Sequence, residues 1–251
     1  MNVRAIKTRR LNPPADDLLE VIDTAIESLS ERSVVCISSK VVSIWRGLCI
    51  KASEVSDKDA LIKREADEYL ERDFVPGGFV MHTKKDGLII PSAGIDASNA
   101  DDHFILWPKD PFADAFEILT FLKKKFGLKE LGVIVIDSHS IPFRRGTIGI
   151  SLAHAGFSAL QDYRGEGDLF GRTLSITQKN VADGLACAAT VVMGEGSEST
   201  PLAVVENLDF VEFNPHDQKD GEFSSFSVPF DEDIYSPFFK NAPWKKGGLD
   251  K

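Results

Sequence analysis

The sequence predicts an α+β fold in which packed helices accompany mixed and antiparallel sheets. Three observations predict this class: an amphipathic helix over residues 111–126, buried strands over residues 33–38 and 131–136, and a hairpin signal within residues 78–91. Helical and extended segments follow one another without the regular βαβ rhythm of a doubly wound sheet. A chain of 251 residues can bury one substantial core, so we treat residues 1–251 as a single unit with room for two lobes.

The helices are predicted from apolar residues that recur at helical spacing. Residues 16–32 and 57–72 show this pattern, the second with alternating charge. In residues 111–126, phenylalanine and leucine share one face, and Gly127 fits the C-terminal cap. A further helix is predicted over residues 177–193. Its inward-facing side chains are predicted to be Val181, Leu185, Ala188, Ala189 and Val192.

The strands are predicted from short β-branched runs bounded by turn residues. Ser33–Ser38 reads SVVCIS, which is typical of a buried strand. Asp86-Gly87 separates two apolar runs, which indicates a hairpin. A late strand is predicted over residues 202–211. The tail from Asn214 is rich in proline and phenylalanine and is predicted to pack on the body of the protein.

The net charge of −10 limits the classes of partner. Nucleic acids and acidic membranes bind basic surfaces, so neither is predicted as a partner. No apolar run approaches the roughly 18 residues that a spanning helix needs, and no apolar segment follows the basic N-terminus, so a cytoplasmic protein is expected. A nucleotide would be repelled by this charge unless arginines or divalent cations reversed the local field.

The three cysteines, Cys36, Cys49 and Cys187, are widely spaced and include no CxxC pair. They therefore predict neither a disulfide framework nor a zinc site. Each has apolar neighbours, so each is predicted to be a small buried hydrophobic residue.

Chemically active side chains are concentrated after the predicted strand 131–136. Asp137 and Ser138 follow it directly, and a carboxylate and a hydroxyl at a sheet edge are suited to Mg²⁺ or Mn²⁺. The alternative is that Asp137 caps a turn. With His139 these are the residue types of a hydrolase triad, but neighbours on one strand point in alternate directions and cannot converge. The phosphate-loop, dinucleotide, HExxH and GxSxG motifs are absent from the sequence.

Two further groups suit metal and phosphate binding. Asp96 and Asn99 lie in the loop sequence PSAGIDASN, where the alternative is an Asx turn. Arginine forks match phosphate and carboxylate, and neighbouring glycines let a backbone approach an anion. The arginines concerned are Arg144, Arg145, Arg164 and Arg172. Their alternative role is to form surface pairs with Asp162, Glu166 and Asp168.

A glycine-rich acidic loop follows the predicted helix 177–193. Gly194 ends that helix, and the carboxylates after it could complete a metal site; a solvated loop is the alternative. His139 and His154 lie nearby, and neither is assigned a catalytic role because an isolated histidine is more often structural.

Several segments together resemble the F420-0:γ-glutamyl ligase family. They occur in that family's order and extend from Ser38 to Glu198, and the N-terminal LNPP also fits. The segments are SSKVVS, AGIDASN, IDSHSIPFRRGTIGISLAHAG, DYRGEGDLFGRTLSIT, and VADGLA through VVMGEGSE.

The resemblance implies a family-specific fold without a P-loop or Rossmann domain, a homodimer, and a metal and nucleotide site between two lobes. It implies a ligase that uses GTP, or alternatively ATP, with Mn²⁺ or Mg²⁺ and K⁺. Such an enzyme adds L-glutamate by γ-linkage to the carboxylate of coenzyme F420-0. The expected intermediate is an acyl phosphate, because a free carboxylate lacks a good leaving group.

The same resemblance implies roles for individual residues. Asp96, Asp137 and Arg144 would act at the reacting groups. Metal ligands would be Asp96, Asp137, Ser138 and Glu195. The residues that bind phosphate or the acceptor would be Arg145, Arg164 and Arg172. Nucleotide contacts would be Leu11, Asn12, Pro13, Pro14, Ser38, Ser39, Lys40, Asn99, Met193, Gly194, Glu195, Gly196, Ser197 and Glu198.

Two departures from the family pattern leave alternatives open. Ser140-Ile141 stands where the family commonly has Gly-Arg, and Ile44-Trp45-Arg46 replaces a more usual Lys-Ala-Glu. The acceptor could therefore be a folate, which would make the protein a folate polyglutamylating ligase. A non-catalytic nucleotide or coenzyme binder is the alternative from another class.

Overall fold

The structure is a computed structural model that describes residues 1–213 and 227–248. The chain forms two compact units. The described residues of unit 1 are Met1–Leu11, Asp17–Val42 and 109–213, and those of unit 2 are Asn12–Asp16, Ser43–Pro108 and 227–248. Both units combine helices with sheets, so the predicted α+β class is confirmed.

Helices and strands are numbered in chain order. They are β1 (Asn2–Ile6), α1 (Leu18–Ala25), β2 (Ser33–Ser38), α2 (Ser39–Trp45), β3 (Cys49–Lys51), α3 (Lys58–Glu65), β4 (Glu68–Tyr69), β5 (His82–Lys85), β6 (Leu88–Pro91), β7 (His103–Ile105), α4 (Pro111–Phe126), β8 (Leu131–His139), β9 (Ile148–Ala155), β10 (Leu160–Asp162), β11 (Gln178–Asn180), α5 (Val181–Met193), β12 (Leu202–Glu206), α6 (Ser236–Phe239) and β13 (Lys245–Lys246).

A five-stranded mixed sheet forms the centre of unit 1, in the order β1-β12-β2-β8-β9. β2 and β8 run parallel, whereas the other neighbours are antiparallel. α5 packs on the face that carries Ile134 and Ile136 of β8, together with Val34 and Cys36 of β2. Strand alternation places Val133 and Val135 on the opposite face. Ser138 therefore lies on the α5 side of the sheet, and Asp137 on the other side.

The helix predicted over residues 111–126 is confirmed, together with the predicted cap at Gly127. Asp110 accepts a hydrogen bond from the backbone N–H of Ala113 at 3.0 Å, and Gly127 adopts a left-handed φ of 68°. The first predicted helix is shorter than residues 16–32, since α1 ends at Ala25. There the ammonium of Lys125 binds the carbonyl oxygens of Asp23 and Ile26, which satisfies the helix end.

Three other predicted boundaries were wrong because strand pairing or backbone conformation intervened. The helix predicted over residues 57–72 ends at Glu65, because Glu68–Tyr69 pairs with β5. The helix predicted over residues 177–193 begins at Val181, because Gln178–Asn180 pairs with β10. The strand predicted over residues 202–211 ends at Glu206, where Asn207 takes a φ of 58°.

Unit 2 contains a four-stranded sheet, β13-β4-β5-β6, and the pair β3-β7. The Asp86-Gly87 hairpin is confirmed, since Lys85 pairs with Leu88 and both turn residues have positive φ. The tail prediction for residues 214–226 lies outside the described residues. Farther on, β13 pairs with β4, and Trp244 donates through Nε1 to the carbonyl of Phe239 at 3.0 Å, so this part packs on unit 2 as predicted.

Two other sequence predictions are tested by burial. Cys36 is buried, and burial raises the pKa of its thiol to about 12. Cys49 and Cys187 are only half-buried, so the prediction of three buried cysteines was wrong for these two. Val192 is also 39% exposed rather than inward-facing, because it lies on the outer side of α5.

Among the described residues, no helix combines the length and apolar character needed to cross a bilayer.

Candidate active site

Asp137 lies within β8, which continues beyond it to His139. The predicted strand end at residue 136 was therefore wrong, because β9 continues to pair with Asp137, Ser138 and His139. The parallel partner β2 ends where Ser38 meets Ile136. Residues 131–136 are buried and residues 137–139 are half-buried. Unit 1 thus presents Ser38 and Asp137 at the same end of its sheet.

Ser138 contacts two carboxylates, one through its hydroxyl and one through its backbone N–H. Its Oγ donates to Glu195 Oε1 at 2.7 Å and Oε2 at 2.8 Å, and its backbone N–H donates to Asp137 Oδ1 at 2.7 Å. Glu195 reaches Ser138 because α5 ends at Met193, where Gly194 turns the chain with a φ of 79°. Unit 1 therefore brings two of the predicted metal ligands, Ser138 and Glu195, into side-chain contact, whereas the Asp137 side chain lies on the other side of the sheet.

These donors are suited to a hard divalent cation. Carboxylate and hydroxyl oxygens are preferred by Mg²⁺ and Mn²⁺. Within residues 1–213 and 227–248, no group of three or more histidine, cysteine or acidic side chains is assembled as a metal site. Mg²⁺ is commonly held by one or two carboxylates together with substrate phosphates. Ser138 and Glu195 have the oxygen donors for a cation held jointly with a nucleotide, and Asp137 offers a further carboxylate at the neighbouring strand position.

The loop after Glu195 is compact. Glu198 Oε2 accepts a hydrogen bond from the backbone N–H of Gly196 at 2.8 Å. A Cβ atom on Gly194 would lie 2.5 Å from Cδ of Glu198, so a larger residue there would displace the Glu198 side chain. Ser197 and Glu198 are exposed, and Met193 is buried at the helix end.

Asp96 belongs to unit 2, whereas Asp137, Ser138 and Glu195 belong to unit 1. Its backbone forms a bridge with Ile105, and its side chain accepts from Ser98 N at 2.6 Å and Ser98 Oγ at 3.1 Å. This arrangement is the Asx turn that was the alternative interpretation. Asn99 is exposed with a φ of 52°.

The predicted nucleotide contacts also occur in both units. Ser38 ends β2, and its backbone N–H donates to the carbonyl of Pro201 at 2.9 Å. Ser39, which is buried, and Lys40 begin α2. Leu11 is buried in unit 1, whereas Asn12, Pro13 and Pro14 belong to unit 2. The Pro13-Pro14 peptide bond is cis, and the backbone N–H of Asn12 donates to Asp16 Oδ2 at 2.9 Å.

The four candidate arginines differ in whether their guanidinium groups form ion pairs with carboxylates. Arg164 pairs with Asp162, and its Nη2 lies 2.5 Å from Oδ2. Hydrogen bonds from Arg164 lower the pKa of Asp162 to about 2, so the alternative of a surface pair is observed here. In the part of the chain that the structure describes, the guanidinium groups of Arg144, Arg145 and Arg172 form no ion pair with a carboxylate. Arg144 and Arg145 lie in an exposed loop after Phe143, whose φ is 60°.

His139 does not join Ser138 in a hydrolase arrangement. The Ser138 hydroxyl is engaged by Glu195, and Nδ1 of His139 is buried with no hydrogen-bond partner among the described residues. Burial lowers the pKa of His139, and the negative charge of Asp183 acts in the opposite direction. Sequence reasoning did not select Asp183. The signal was present, because Asn180 and Asp183 have the spacing of a capping box at the start of α5.

Comparison with known proteins identifies the class as a family of ligases. A family model described as F420-0:Gamma-glutamyl ligase matches residues 5–207. A protein from Methanopyrus kandleri named coenzyme F420:L-glutamate ligase is 32% identical over 225 residues, covering 83% of this chain and 87% of that protein. A protein of the same name from Haloarcula marismortui is 36% identical over 216 residues, covering 78% and 83%. The chain belongs to the F420-0:γ-glutamyl ligase family.

Proposed function

We propose that this protein is a nucleotide-dependent ligase that adds L-glutamate, by γ-linkage, to coenzyme F420-0. The observation that carries this function is the Ser138–Glu195 hydrogen bond beside Asp137, which assembles oxygen donors at one end of the unit 1 sheet. Family membership over residues 5–207 and relatives named coenzyme F420:L-glutamate ligase support the choice of substrates.

The reaction requires an activated acceptor. A carboxylate oxygen of the acceptor attacks the γ-phosphorus of GTP, the bond to the β-phosphate oxygen breaks, and GDP leaves. The amine of glutamate then attacks the acyl carbon of the acyl phosphate. Inorganic phosphate leaves and the amine loses a proton, which gives the amide. Such transfers depend on positioning and charge neutralisation more than on a covalent protein nucleophile.

The residues divide these tasks by their chemistry. Asp137, Ser138 and Glu195 would hold Mn²⁺ or Mg²⁺, and Asp96 would supply a further carboxylate. Arg144 would act at the reacting phosphate, and Arg145, Arg164 and Arg172 would bind phosphate or acceptor carboxylate. Asn99, the Leu11 to Pro14 segment, Ser38 to Lys40 and the 193–198 loop would bind GTP, with K⁺ assisting.

We also propose a homodimer. Unit 1 exposes large apolar side chains in two loops and on α5, which is unfavourable in water unless a partner covers them. The relative exposures are 105% for Phe143, 99% for Leu169, 92% for Phe170, 87% for Ile176 and 83% for Val191. A second copy of the chain would bury this set by symmetry.

The decisive experiment offers the purified protein GTP or ATP, Mn²⁺, L-glutamate and either F420-0 or a folate. Amide product is measured by mass spectrometry, and phosphate release is measured in parallel. Glutamate-dependent product from F420-0 is expected. Product from the folate alone would support the polyglutamylating alternative, which the exposed Ile141, in place of a second guanidinium, mildly favours. Tight nucleotide binding without any amide would identify a non-catalytic binder.

A further inference from the structure

The contact between β8 and β9 contains a bulge beside the candidate site. Val135 pairs with Ala153, but Ile136 pairs with Ser151, so Leu152 is an extra residue. In a regular strand, residues 151 and 153 would share one face. Here the extra residue reverses the alternation and places Ser151 on the α5 face, with Ile136.

The bulge also places Gly149 under α5. Gly149 pairs with Ser138 and therefore shares its face of the sheet. A Cβ atom on Gly149 would lie 2.3 Å from the carbonyl oxygen of Ala186, so only glycine allows α5 to approach this closely. Cys187 Sγ donates to the Gly149 carbonyl at 3.1 Å. Without the bulge, an isoleucine side chain from position 148 or 150 would meet the helix instead.

Asp183 holds the bulge from the first turn of α5. Its Oδ1 accepts the backbone N–H of Ser151 at 2.8 Å. Its other oxygen accepts from Asn180 Nδ2 at 2.6 Å, and its own N–H donates to Asn180 Oδ1 at 3.0 Å. The N-cap of α5 thus orients the carboxylate that binds the bulged strand.

α5 and the residue Glu195 just beyond it therefore contact β9 and the end of β8 at three successive points. Asp183 binds Ser151, Ala186 packs on Gly149, and Glu195, just beyond the helix end, accepts from Ser138. One continuous helix, Val181–Met193, joins the first two points, and Glu195 follows two residues after its end.

We propose that Asp183 is a positioning residue for the Ser138–Glu195 pair: by binding the bulge at Ser151, it sets the register that lets Glu195 and Ser138 share a cation. This inference rests on the proposed function. Outer residues that orient metal ligands typically change metal affinity by 10- to 100-fold when they are removed.

The test compares Asp183→Ala with a reciprocal variant, Asn180→Asp combined with Asp183→Asn. The reciprocal variant keeps an oxygen acceptor for Ser151, the cap of α5 and the net charge, whereas alanine loses the acceptor. Mn²⁺ binding in the presence of GTP is measured by electron paramagnetic resonance. Hydrogen exchange is measured for peptides over residues 148–155, with residues 131–136 as an internal reference.

Asp183→Ala is expected to weaken Mn²⁺ binding about tenfold and to speed hydrogen exchange in residues 148–155. The reciprocal variant is expected to stay within about twofold of wild type in both measurements. If Asp183→Ala does not fold, Ser151→Pro removes the donor of the same bond and keeps the Asn180–Asp183 cap. It should reproduce the loss, and proline is tolerated at bulges.

A folded Asp183→Ala protein with unchanged Mn²⁺ affinity, or a reciprocal variant as impaired as alanine, would overturn the positioning role. Either result would limit Asp183 to a structural role in the cap of α5. Failure of the proposed function is separate: wild type would then bind Mn²⁺ and GTP but form no amide with any acceptor. The Mn²⁺-binding and hydrogen-exchange measurements do not depend on turnover and would still decide the role of Asp183.

Discussion

The hydroxyl of Ser138 donates to both carboxylate oxygens of Glu195, at 2.7 and 2.8 Å, and so joins residues 57 positions apart in the sequence. A hydroxyl that already holds a carboxylate can turn a lone pair toward a cation bound by the same carboxylate. In the proposed site, the pair would change from a hydrogen bond to shared coordination when a metal–nucleotide complex binds.

Ser138→Ala removes this hydroxyl and tests its contribution to metal binding. We expect the half-saturating Mn²⁺ concentration for ligase activity to rise about tenfold, because one oxygen ligand and the restraint on Glu195 are lost. Ser138→Thr keeps the hydroxyl and is the matched control, with an expected change below about threefold. Equal Mn²⁺ dependence in the alanine and threonine variants would contradict a ligand role.

Asp137→Asn keeps the shape of the side chain and removes its charge. Because the carboxylate would neutralise phosphate through the cation, we expect kcat to fall roughly 100-fold or more, about 2.7 kcal/mol of transition-state stabilisation. Asp209→Asn is the control, since the Asp209 side chain is 96% exposed. Steady-state kinetics with saturating GTP measure the effect. An Asp137→Asn enzyme with wild-type kcat would exclude this residue from the metal site.

Alanine substitution of the arginines should raise the acceptor KM by different amounts, depending on whether the guanidinium already forms an ion pair. Arg145→Ala removes a guanidinium with no ion pair among the described residues, so we expect the acceptor KM to rise about tenfold, ~1.4 kcal/mol, with little change in kcat. Arg164 is already bound to Asp162, so Arg164→Ala should raise KM less. Initial rates at varied acceptor concentration compare the two. A larger effect at Arg164 would show that this ion pair opens to receive the substrate.

Removal of exposed apolar side chains should separate the proposed homodimer. Leu169→Ser combined with Phe170→Ser is expected to shift the protein from dimer to monomer, measured by light scattering after size exclusion. These side chains are 99% and 92% exposed within the chain and would be buried by a second copy. Phe79→Ser is the control, because Phe79 is 85% exposed but lies in unit 2. A monomeric wild type would refute the homodimer.

The Asp59–Arg72 ion pair should make the stability of unit 2 depend on pH. Arg72 donates to Asp59 through Nε at 2.7 Å and Nη2 at 2.6 Å, and these hydrogen bonds lower the pKa of the carboxyl. A lowered pKa stabilises the folded state above the unfolded value of about 3.9, and this contribution is lost as pH falls through the folded value. Because solvent screens the pair, we expect Asp59→Asn to cost ~0.5–1 kcal/mol at pH 7.

Thermal unfolding measured from pH 7 to about pH 2 tests this window. The difference between wild type and Asp59→Asn should shrink as the pH falls below about 4. Asp73→Asn, at a neighbouring exposed carboxyl, should show no such change. A constant difference between wild type and Asp59→Asn at all pH values would mean that the ion pair does not stabilise the folded state.

The elements that local patterns predicted are those whose stabilising contacts are close in sequence. α4 has its apolar face, the Asp110 cap and Gly127 within one segment, and the Asp86-Gly87 turn joins adjacent strands. Strand β2 was predicted with the correct bounds because its buried, β-branched residues are consecutive. The family resemblance likewise followed from short segments, and comparison with known proteins confirmed it.

What the sequence alone determined was therefore the α+β class, the long helix, the hairpin and the family, whereas the phosphate and metal site stays a prediction. The tertiary structure decided that β8 continues past Asp137, that a bulge at Leu152 reverses β9, and that Glu195 contacts Ser138. Local patterns report spacing along the chain, whereas these contacts depend on pairing between segments far apart. Their free energy comes from the whole packed sheet and helix, so no single segment contains the signal for them.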